Sequence, residues 1–225
     1  MTSRPAVFID RDGTLTEEVG YVNHPDRLKL LPRAAEAIRR LNAAGVAAVV
    51  VTNQAGIARG YFSEDVFRAV NETLSAQLAR AGARLDGVYA CLHHPSEGDT
   101  PYRAQCECRK PKPGLLLRAA GELGLDFARS TMVGDKASDL IPGRTVGAAA
   151  VLVLTGYGRG EWEYRRRHFE VEPDHVAADL LDAVDWTLAR VAVRAEALRR
   201  RGEPVNGRAS RDARRRGEPV NGIAA

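Results

Sequence analysis

The sequence predicts a doubly wound α/β fold, in which helices cover both faces of a parallel sheet. Short apolar runs alternate with stretches of helical periodicity between residues 6 and 154. The runs are rich in β-branched residues and apolar at successive positions, which is typical of strands buried on both faces. With 225 residues, of which 44% are hydrophobic, the chain is long enough to bury one sizeable core.

Five strands and four helices are predicted in alternation. The apolar runs place strands at 6–9, 46–51, 86–91, 131–133 and 149–154. The helical patterns place helices at about 33–41, 63–81, 113–123 and 138–146, the last of which is weak. Pro32 precedes the first helix, Gly45 follows it, and Ser63 opens the second helix ahead of two acidic residues, as helix ends require.

The chain becomes polar between residues 156 and 172, which predicts a surface loop or a frayed helix. Apolar residues then recur at helical spacing and predict a last amphipathic helix that packs on the sheet. These residues are Val176, Leu180, Leu181, Val184, Leu188 and Val191. We therefore expect one domain over residues 1–189.

An Arg-rich tail follows, and its positive net charge is larger than the net charge of +4 of the whole chain. Residues 190–225 contain ten Arg and four acidic residues, so residues 1–189 are slightly acidic. The segment 199–207 recurs letter for letter at 214–222 without apolar periodicity, so we expect the end of the last helix and then a disordered tail. This tail is either a solvated charged segment or a binder of anionic surfaces, whereas the acidic body gives no reason to expect a nucleic-acid groove.

Apolar content and cysteine usage indicate a cytoplasmic protein. The sequence has no run of 18 apolar residues, and its N-terminus lacks the apolar stretch of a secretory signal, so we expect no membrane association. The three cysteines are an odd number and all lie between residues 91 and 108. They resemble a local cluster rather than the disulfide framework of a secreted protein.

Two carboxylates follow the first predicted strand, at Asp10 and Asp12, and Gly13 permits the chain to turn back there. A carboxylate at the end of a strand is held rigidly and suits a nucleophile, while its neighbour suits an acid. Such a pair usually needs a cation such as Mg²⁺ between its charges. The alternative is an Asp-Gly turn with a chance acidic neighbour.

Further polar motifs follow the other strands, at the sheet edge where open parallel sheets bind their ligands. Thr52 ends the second strand, Asp135 and Lys136 follow the fourth, and Asp139 lies one helical turn later. A hydroxyl, a lysine and an acidic metal ligand converging on Asp10 indicate phosphoryl transfer, because charge on three phosphoryl oxygens must be offset.

A second metal site is predicted from four soft ligands within 18 residues. Cys91 and His93 are followed by Cys106 and Cys108, which is the ligand number of a closed structural zinc site. His94 is an alternative ligand to His93, and buried free thiols with surface histidines are the alternative to any zinc. A CRKP motif starts at Cys108, so the metal would fix the loop that delivers two cations to the site.

The order of these motifs resembles the haloacid dehalogenase (HAD) superfamily of phosphohydrolases, whose pattern is D-x-D-x-T, a strand-end Thr or Ser, a Lys and an acidic Gly-Asp motif. The resemblance implies that Asp10 is the nucleophile and Asp12 the general acid and base. It implies that Thr52 and Lys110 hold the phosphoryl oxygens. Asp135 would bind Mg²⁺ together with Asp10 and the backbone carbonyl of Asp12.

The combination of DRDGT, TNQ-x-GIARG, C-x-H with C-x-CRKP, and GDK is narrower, and over about residues 5–155 it resembles the heptose bisphosphate phosphatase group. The resemblance implies a fold without a separate lid domain. It implies a substrate pocket lined by Glu18, Val19, Gly20, Tyr21, Asn53, Gln54 and Ala55. Arg109 would read the sugar or its distal phosphate, or else be a solvated loop cation. Lys136 would contact the transferred group, or else only neutralise Asp135.

The resemblance implies a Mg²⁺-dependent phosphatase with a structural zinc site that removes the C7 phosphate of a heptose bisphosphate, in nucleotide-heptose synthesis for lipopolysaccharide or surface glycans. Histidinol-phosphate phosphatase is the nearest alternative. A zinc-stapled module that binds nucleic acid through the Arg-rich tail is a remote one. A domain of this size without a lid is expected to be a monomer.

Overall fold

The computed structural model describes residues 3–201, excluding the side chain of Leu198, and contains a single six-stranded parallel sheet in the order β3-β2-β1-β4-β5-β6. The strands are β1 (Ala6–Ile9), β2 (Ala47–Asn53), β3 (Gly87–Cys91), β4 (Thr131–Gly134), β5 (Ala149–Val153) and β6 (His175–Ala177). The helices are α1 (Ala34–Ala43), α2 (Glu64–Arg80), α3 (Gly114–Leu123), α4 (Ala137–Thr145), the short α5 (Gly158–Gly160) and α6 (Leu180–Arg200).

The register of the sheet brings three strand ends together. Ile9, the last residue of β1, lies beside Val50 of β2 and Val133 of β4. The residues that follow these three strands therefore emerge side by side, and Asp10 lies in the middle of them. The strand order reverses at β1, which is where ligands of doubly wound sheets bind.

Helices cover both faces of the sheet, as the buried apolar runs predict. Side chains of α1, α2 and α6 pack against one face, which β1 lines with Val7 and Ile9. Side chains of α3 pack against the other face, around Phe8, and Leu140 of α4 joins Leu152 of β5 on that side. Because successive strand residues point to opposite faces, the four-residue β1 is completely buried.

The predicted fold class is confirmed, but the prediction missed one strand. The five predicted strands and four predicted helices lie within two residues of the observed bounds. Val176, however, belongs to the short edge strand β6 and not to the last helix, which begins at Leu180. The prediction was wrong there because Val176 and Leu180 are four residues apart and fit a helical repeat. Residues 158–168 form short helical turns, in line with a frayed helix.

Cys91 ends β3, the other three predicted zinc ligands lie in the loop between β3 and α3, and residues 3–201 include no separate lid domain. Helix α6 extends beyond residue 189 to Arg200, so it crosses the expected domain boundary. The duplicated tail at 202–225 lies outside the described residues. Within the described part of the chain, no helix is long and apolar enough to span a membrane.

Candidate active site

Three buried carboxylates meet at the carboxyl edge of the sheet. Asp10 follows β1, Asp135 follows β4 and Asp139 lies in the first turn of α4. One oxygen from each lies within 4.8 Å of the others, and all three residues are buried. The structure therefore brings Asp10 and Asp135 together at one place.

Lys110 lies inside this carboxylate cluster. Its Nζ is 2.7 Å from Oδ1 of Asp10 and 2.7 Å from Oδ1 of Asp139, and its side chain is only 3% exposed. Burial acts to lower the pKa of Lys110, but the two carboxylates outweigh burial and raise the pKa above its ordinary value. Lys110 is therefore a fixed cation beside Asp10.

One lysine does not neutralise three carboxylates. Burial, with the neighbouring carboxylates adding to it, raises the pKa of Asp135 to about 7. Burial likewise raises the pKa of Asp10 to about 6, although Lys110 opposes the shift. Oδ1 of Asp135 is buried and has no hydrogen-bond partner among residues 3–201. An uncompensated cluster of hard oxygen ligands fits a divalent cation such as Mg²⁺.

The loop after β5 approaches Asp135 closely. The Tyr157 N–H donates to Oδ2 of Asp135 at 2.8 Å, and the Thr155 hydroxyl donates to the Gly13 carbonyl at 2.6 Å. A Cβ atom at Gly13 or at Gly156 would collide with the Asp135 carboxylate. Gly13 also has a φ of +86°, so both the approach and the backbone require glycine there.

Asp12 points toward a different set of groups. Its carboxylate accepts hydrogen bonds from Nε and Nη2 of the buried Arg11, at 3.0 and 2.9 Å, and from Nε2 of Gln54 at 2.8 Å. The carboxylate that completes the buried cluster is that of Asp139 and not that of Asp12. Binding of Mg²⁺ by the Asp12 backbone carbonyl stays a prediction.

A cavity of about 410 Å³ opens above the carboxylates. It is lined by Asp10, Asp12, Glu18, Gly20, Tyr21, Thr52, Asn53, Ala55, Arg109, Lys110, Lys136, Ser138, Asp139 and Tyr157. Most of the predicted catalytic and substrate residues are therefore brought together. Val19 and Gln54 are not among the lining residues: Val19 packs against the core, and Gln54 is buried beneath the cavity.

Three residues of the cavity wall had no predicted role: Asp139, which the sequence already places near the strand ends, and Ser138 and Tyr157, which were not expected at the site. Asp139 had a usable signal, since its position one helical turn after Asp135 places both carboxylates on the same side. Tyr157 also had one, because it follows β5 at the same sheet edge. The Lys136 Nζ lies 4.4 Å from the centre of the Tyr157 ring and 3.4 Å from Oε2 of Glu18.

The four predicted zinc ligands form a second cluster. Their ligand atoms all lie within 4.8 Å of one another, including Cys106 Sγ at 3.5 Å from Cys91 Sγ and Cys108 Sγ at 3.3 Å from His93 Nδ1. His94 points elsewhere: its Nδ1 accepts the N–H groups of Ser96 and Glu97. The geometry therefore favours His93 over His94 as the ligand.

The zinc-ligand cluster connects directly to the cavity. Cys108 precedes Arg109 and Lys110, both of which line the cavity. The Arg109 Nη1 also donates to the backbone carbonyl of His93 at 3.2 Å. A metal bound between the thiols would therefore fix the loop that carries both cations.

The fold and the site together define a phosphohydrolase of the HAD class, and a HAD-hydrolase-like family model matches residues 107–183. A D-glycero-D-manno-heptose-1,7-bisphosphate 7-phosphatase of Thermosynechococcus vestitus is 44% identical over 195 residues, which cover 85% of this chain and 99% of that protein. The D-glycero-beta-D-manno-heptose-1,7-bisphosphate 7-phosphatase of Escherichia coli K12 is 38% identical over 203 residues, which cover 90% of this chain and 97% of that protein. The chain therefore belongs to the heptose-1,7-bisphosphate 7-phosphatase family of HAD hydrolases.

Solved structures agree with this assignment. The crystal structure of D,D-heptose 1,7-bisphosphate phosphatase from B. bronchiseptica, complexed with magnesium and phosphate, has a TM-score of 0.72 and 32% identity. The match covers 83% of this chain and 99% of that one. The predicted superfamily and the predicted phosphatase class are confirmed. The relatives favour neither the histidinol-phosphate alternative nor the nucleic-acid one.

Proposed function

We propose that this phosphatase removes the C7 phosphate from D-glycero-D-manno-heptose 1,7-bisphosphate through a phosphoryl ester on Asp10. The observation that carries the proposal is the position of Lys110, whose Nζ is 2.7 Å from both Asp10 and Asp139 at the base of a cavity large enough for a sugar phosphate. The names of the relatives support the choice of substrate.

In the first step an Asp10 oxygen attacks phosphorus, and the bond between phosphorus and the C7 oxygen breaks. A carboxylate is nucleophilic once ionised, and Lys110 favours that form of Asp10. Lys110 and the Thr52 hydroxyl face the same cavity and offset charge on the phosphoryl oxygens.

Asp12 moves the protons. It gives its proton to the C7 oxygen as that alcohol leaves, and it takes a proton from the water that next attacks phosphorus. The Asp10–phosphorus bond then breaks, which releases inorganic phosphate and restores both carboxyl groups. General acid-base assistance of this kind is worth roughly 10²- to 10⁴-fold in rate.

Asp10 and Asp135 would hold Mg²⁺, with the Asp12 carbonyl as the family resemblance implies, and Asp139 lies close enough to take part. When bound, Mg²⁺ would reduce the repulsion between the Asp10 carboxylate and the phosphate dianion. Zn²⁺ bound by Cys91, His93, Cys106 and Cys108 would be structural, because four protein ligands leave no open position.

Arg109 is the residue that suits a second phosphate. It lines the cavity, and within residues 3–201 its side-chain contact is with the His93 carbonyl, an uncharged partner. Lys136, in contrast, is paired with Glu18. The other proposed pocket residues, Gly20, Tyr21, Asn53 and Ala55, line the same cavity and would meet the sugar. A distal phosphate on Arg109 would favour a bisphosphate over histidinol phosphate.

The test is phosphate release from heptose 1,7-bisphosphate, histidinol phosphate and simple sugar phosphates, each with and without Mg²⁺. We expect Mg²⁺-dependent release with heptose bisphosphate preferred, and ³¹P spectra in which the C7 signal is lost while the C1 signal remains. A kcat/KM at least tenfold in favour of histidinol phosphate would overturn the choice of substrate. A beryllium fluoride adduct on any residue but Asp10 would overturn the mechanism.

We also propose that the enzyme acts in the cytoplasm, because its three cysteines form no disulfide in the described structure, which suits a reducing compartment. We propose that it is a monomer, as expected for a domain of this size without a lid. Light scattering on the purified protein tests its mass. Removal of residues 202–225 tests the nucleic-acid alternative, because the truncated enzyme should keep its turnover.

A further inference from the structure

Gln54 occupies an unexpected position for a residue assigned to the substrate pocket. It directly follows β2, is 4% exposed and does not line the cavity. Its backbone N–H donates to the Cys91 carbonyl at 2.7 Å, which fixes the chain at this point. The side chain lies below the cavity floor, between Thr52 and Asp12.

The Gln54 amide uses both hydrogens of Nε2. One is donated to Oδ2 of Asp12 at 2.8 Å and the other to Oγ1 of Thr52 at 3.0 Å. In the ionised form of Asp12, which takes the proton from the attacking water, the carboxylate only accepts hydrogen bonds, so the nitrogen of the amide and not its oxygen faces it. The orientation of the amide is therefore set by chemistry as well as by position.

This arrangement determines where the Thr52 hydroxyl donates. A hydroxyl has one hydrogen, and the Oγ1 of Thr52 already accepts a hydrogen bond from Gln54. The Thr52 hydrogen must therefore point away from Gln54. Because Thr52 lines the cavity, its O–H is available to an oxygen of a bound phosphoryl group.

We infer that Gln54 is a positioning residue, which orients the Thr52 hydroxyl as a donor and holds the Asp12 carboxylate beside it. The inference rests on the proposed roles of Thr52 and Asp12 as phosphoryl donor and proton carrier. Arg11 also holds Asp12, through two hydrogen bonds. Within residues 3–201, Gln54 is the only residue whose side chain is hydrogen-bonded to both Asp12 and Thr52.

The test compares Gln54→Met and Gln54→Glu with wild type, on heptose bisphosphate and on p-nitrophenyl phosphate. Gln54→Met keeps the length and the apolar stem but removes both donors. We expect kcat to fall about 10- to 100-fold, which is less than the roughly 10²- to 10³-fold cost of losing a transition-state donor itself, with a much smaller change in KM. Gln77→Met is the matched control, because Gln77 lies in α2 away from the site and its amide donates to the Leu28 carbonyl. It should keep the wild-type kcat.

Gln54→Glu should change kcat in a way that would not be expected if Gln54 had only a structural role. A carboxylate at this position accepts from Thr52 and repels Asp12, so the loss of kcat should exceed that of Gln54→Met at pH 8. Equal losses of kcat in the two variants would overturn the inference, as would a wild-type kcat in Gln54→Met.

A double-mutant comparison checks the contact with Asp12. In an Asp12→Asn background, Gln54→Met should cost less than it does in wild type, since residues that act as a unit are not additive. An undiminished cost would contradict the coupling. Thermal unfolding of each variant shows that it is folded before its kinetics are compared.

The two substrates separate this inference from the proposed function. Wild-type activity on p-nitrophenyl phosphate without activity on heptose bisphosphate would overturn the substrate alone, and the comparison of Gln54 variants would still be read on the aryl ester. Normal wild-type activity on both substrates with unimpaired Gln54 variants would overturn the role of Gln54 alone.

Discussion

Asn53 holds the main chain of Lys110 by two hydrogen bonds. Its Nδ2 donates to the Lys110 carbonyl at 3.0 Å, and its Oδ1 accepts the Lys110 N–H at 3.0 Å. The end of β2 is thereby tied to the loop that carries the cation of the site. Asn53 also lines the cavity, although both polar atoms of its side chain are bound to the main chain of Lys110.

Replacing Asn53 should therefore weaken catalysis through Lys110. Asn53→Leu removes both hydrogen bonds at similar volume, and a net value of about 1 kcal/mol for each bond predicts a loss of roughly 30-fold in kcat/KM. The control is Asn42→Leu, because Asn42 clamps the Arg84 backbone with the same two bonds far from the site. Steady-state kinetics on both variants decide the point, and equal losses would mean that the clamp on Lys110 is only structural.

Asp139 should matter as much as the residues that the sequence motifs singled out. Its carboxylate lies 2.7 Å from Lys110 and within the cluster formed with Asp10 and Asp135. Asp139→Asn keeps the shape but removes one negative charge, so we expect the Mg²⁺ concentration for half-maximal activity to rise about tenfold or more. Asp185→Asn, at an exposed pair with Arg40, serves as the control.

Titration of activity against Mg²⁺ makes this measurement directly. If the Mg²⁺ requirement of Asp139→Asn matched that of wild type while kcat fell, the residue would act only through Lys110. That result would restrict the cation ligands to Asp10, Asp135 and groups outside this carboxylate cluster.

The fold and the catalytic centre were largely predictable, because they depend on periodicity and on strand ends. Asp10 and Asp135 follow buried runs of apolar residues, and parallel strands present all their carboxyl ends at one edge. Strand β6 was not predicted, because it is only three residues long and Val176 also fits the helical repeat of α6.

Side-chain direction was less predictable than position. Thr52 and Gln54 are two residues apart at the end of β2, yet Thr52 lines the cavity and Gln54 lies beneath it. A motif assigns both to the site without saying which one faces substrate. Tyr157 was missed for a related reason, because its backbone N–H, which the sequence does not distinguish, makes the contact with Asp135.

The raised pKa values of Asp10 and Asp135 predict how pH changes the effect of Mg²⁺ on stability. Both carboxyl groups have pKa values near 3.8 when unperturbed, and about 6 and about 7 in the folded protein. Between about pH 4 and pH 7 the folded state therefore binds more protons than the unfolded chain. The contribution of these two groups to the free energy of unfolding is fully present below about pH 4 and is lost as the pH rises through 6 and 7. Metal-free protein should accordingly lose stability from pH 5 to pH 8.

At pH 8 the carboxyl groups of Asp10 and Asp135 have lost their protons, and bound Mg²⁺ would offset the resulting negative charge. Mg²⁺ should therefore raise the Tm more at pH 8 than at pH 5. At a hundredfold excess over Kd the gain is about 2.7 kcal/mol, which corresponds to several degrees. Thermal scans in EDTA and in Mg²⁺ at both pH values measure the difference. Asp135→Asn should flatten it, and a larger Mg²⁺ effect at pH 5 would contradict the assignment of these carboxylates to the cation.

Cys108→Ser should lower zinc content and raise KM together. The Cys108 sulfur is 3.2 Å from that of Cys106, and the next two residues, Arg109 and Lys110, line the cavity. Loss of one thiolate opens the site, and the cation loop then loses its anchor, so we expect KM to rise several-fold with a smaller change in kcat.

The matched control is His94→Gln, since His94 neighbours the proposed ligand His93 but points toward the backbone of Ser96 and Glu97. Metal analysis of the two purified variants should give about one zinc per chain for His94→Gln and markedly less for Cys108→Ser. Wild-type zinc content and kinetics in Cys108→Ser would show that Cys108 is not a zinc ligand and that no metal at this cluster anchors the cation loop. Zinc loss in His94→Gln instead would exchange the two histidines as ligands.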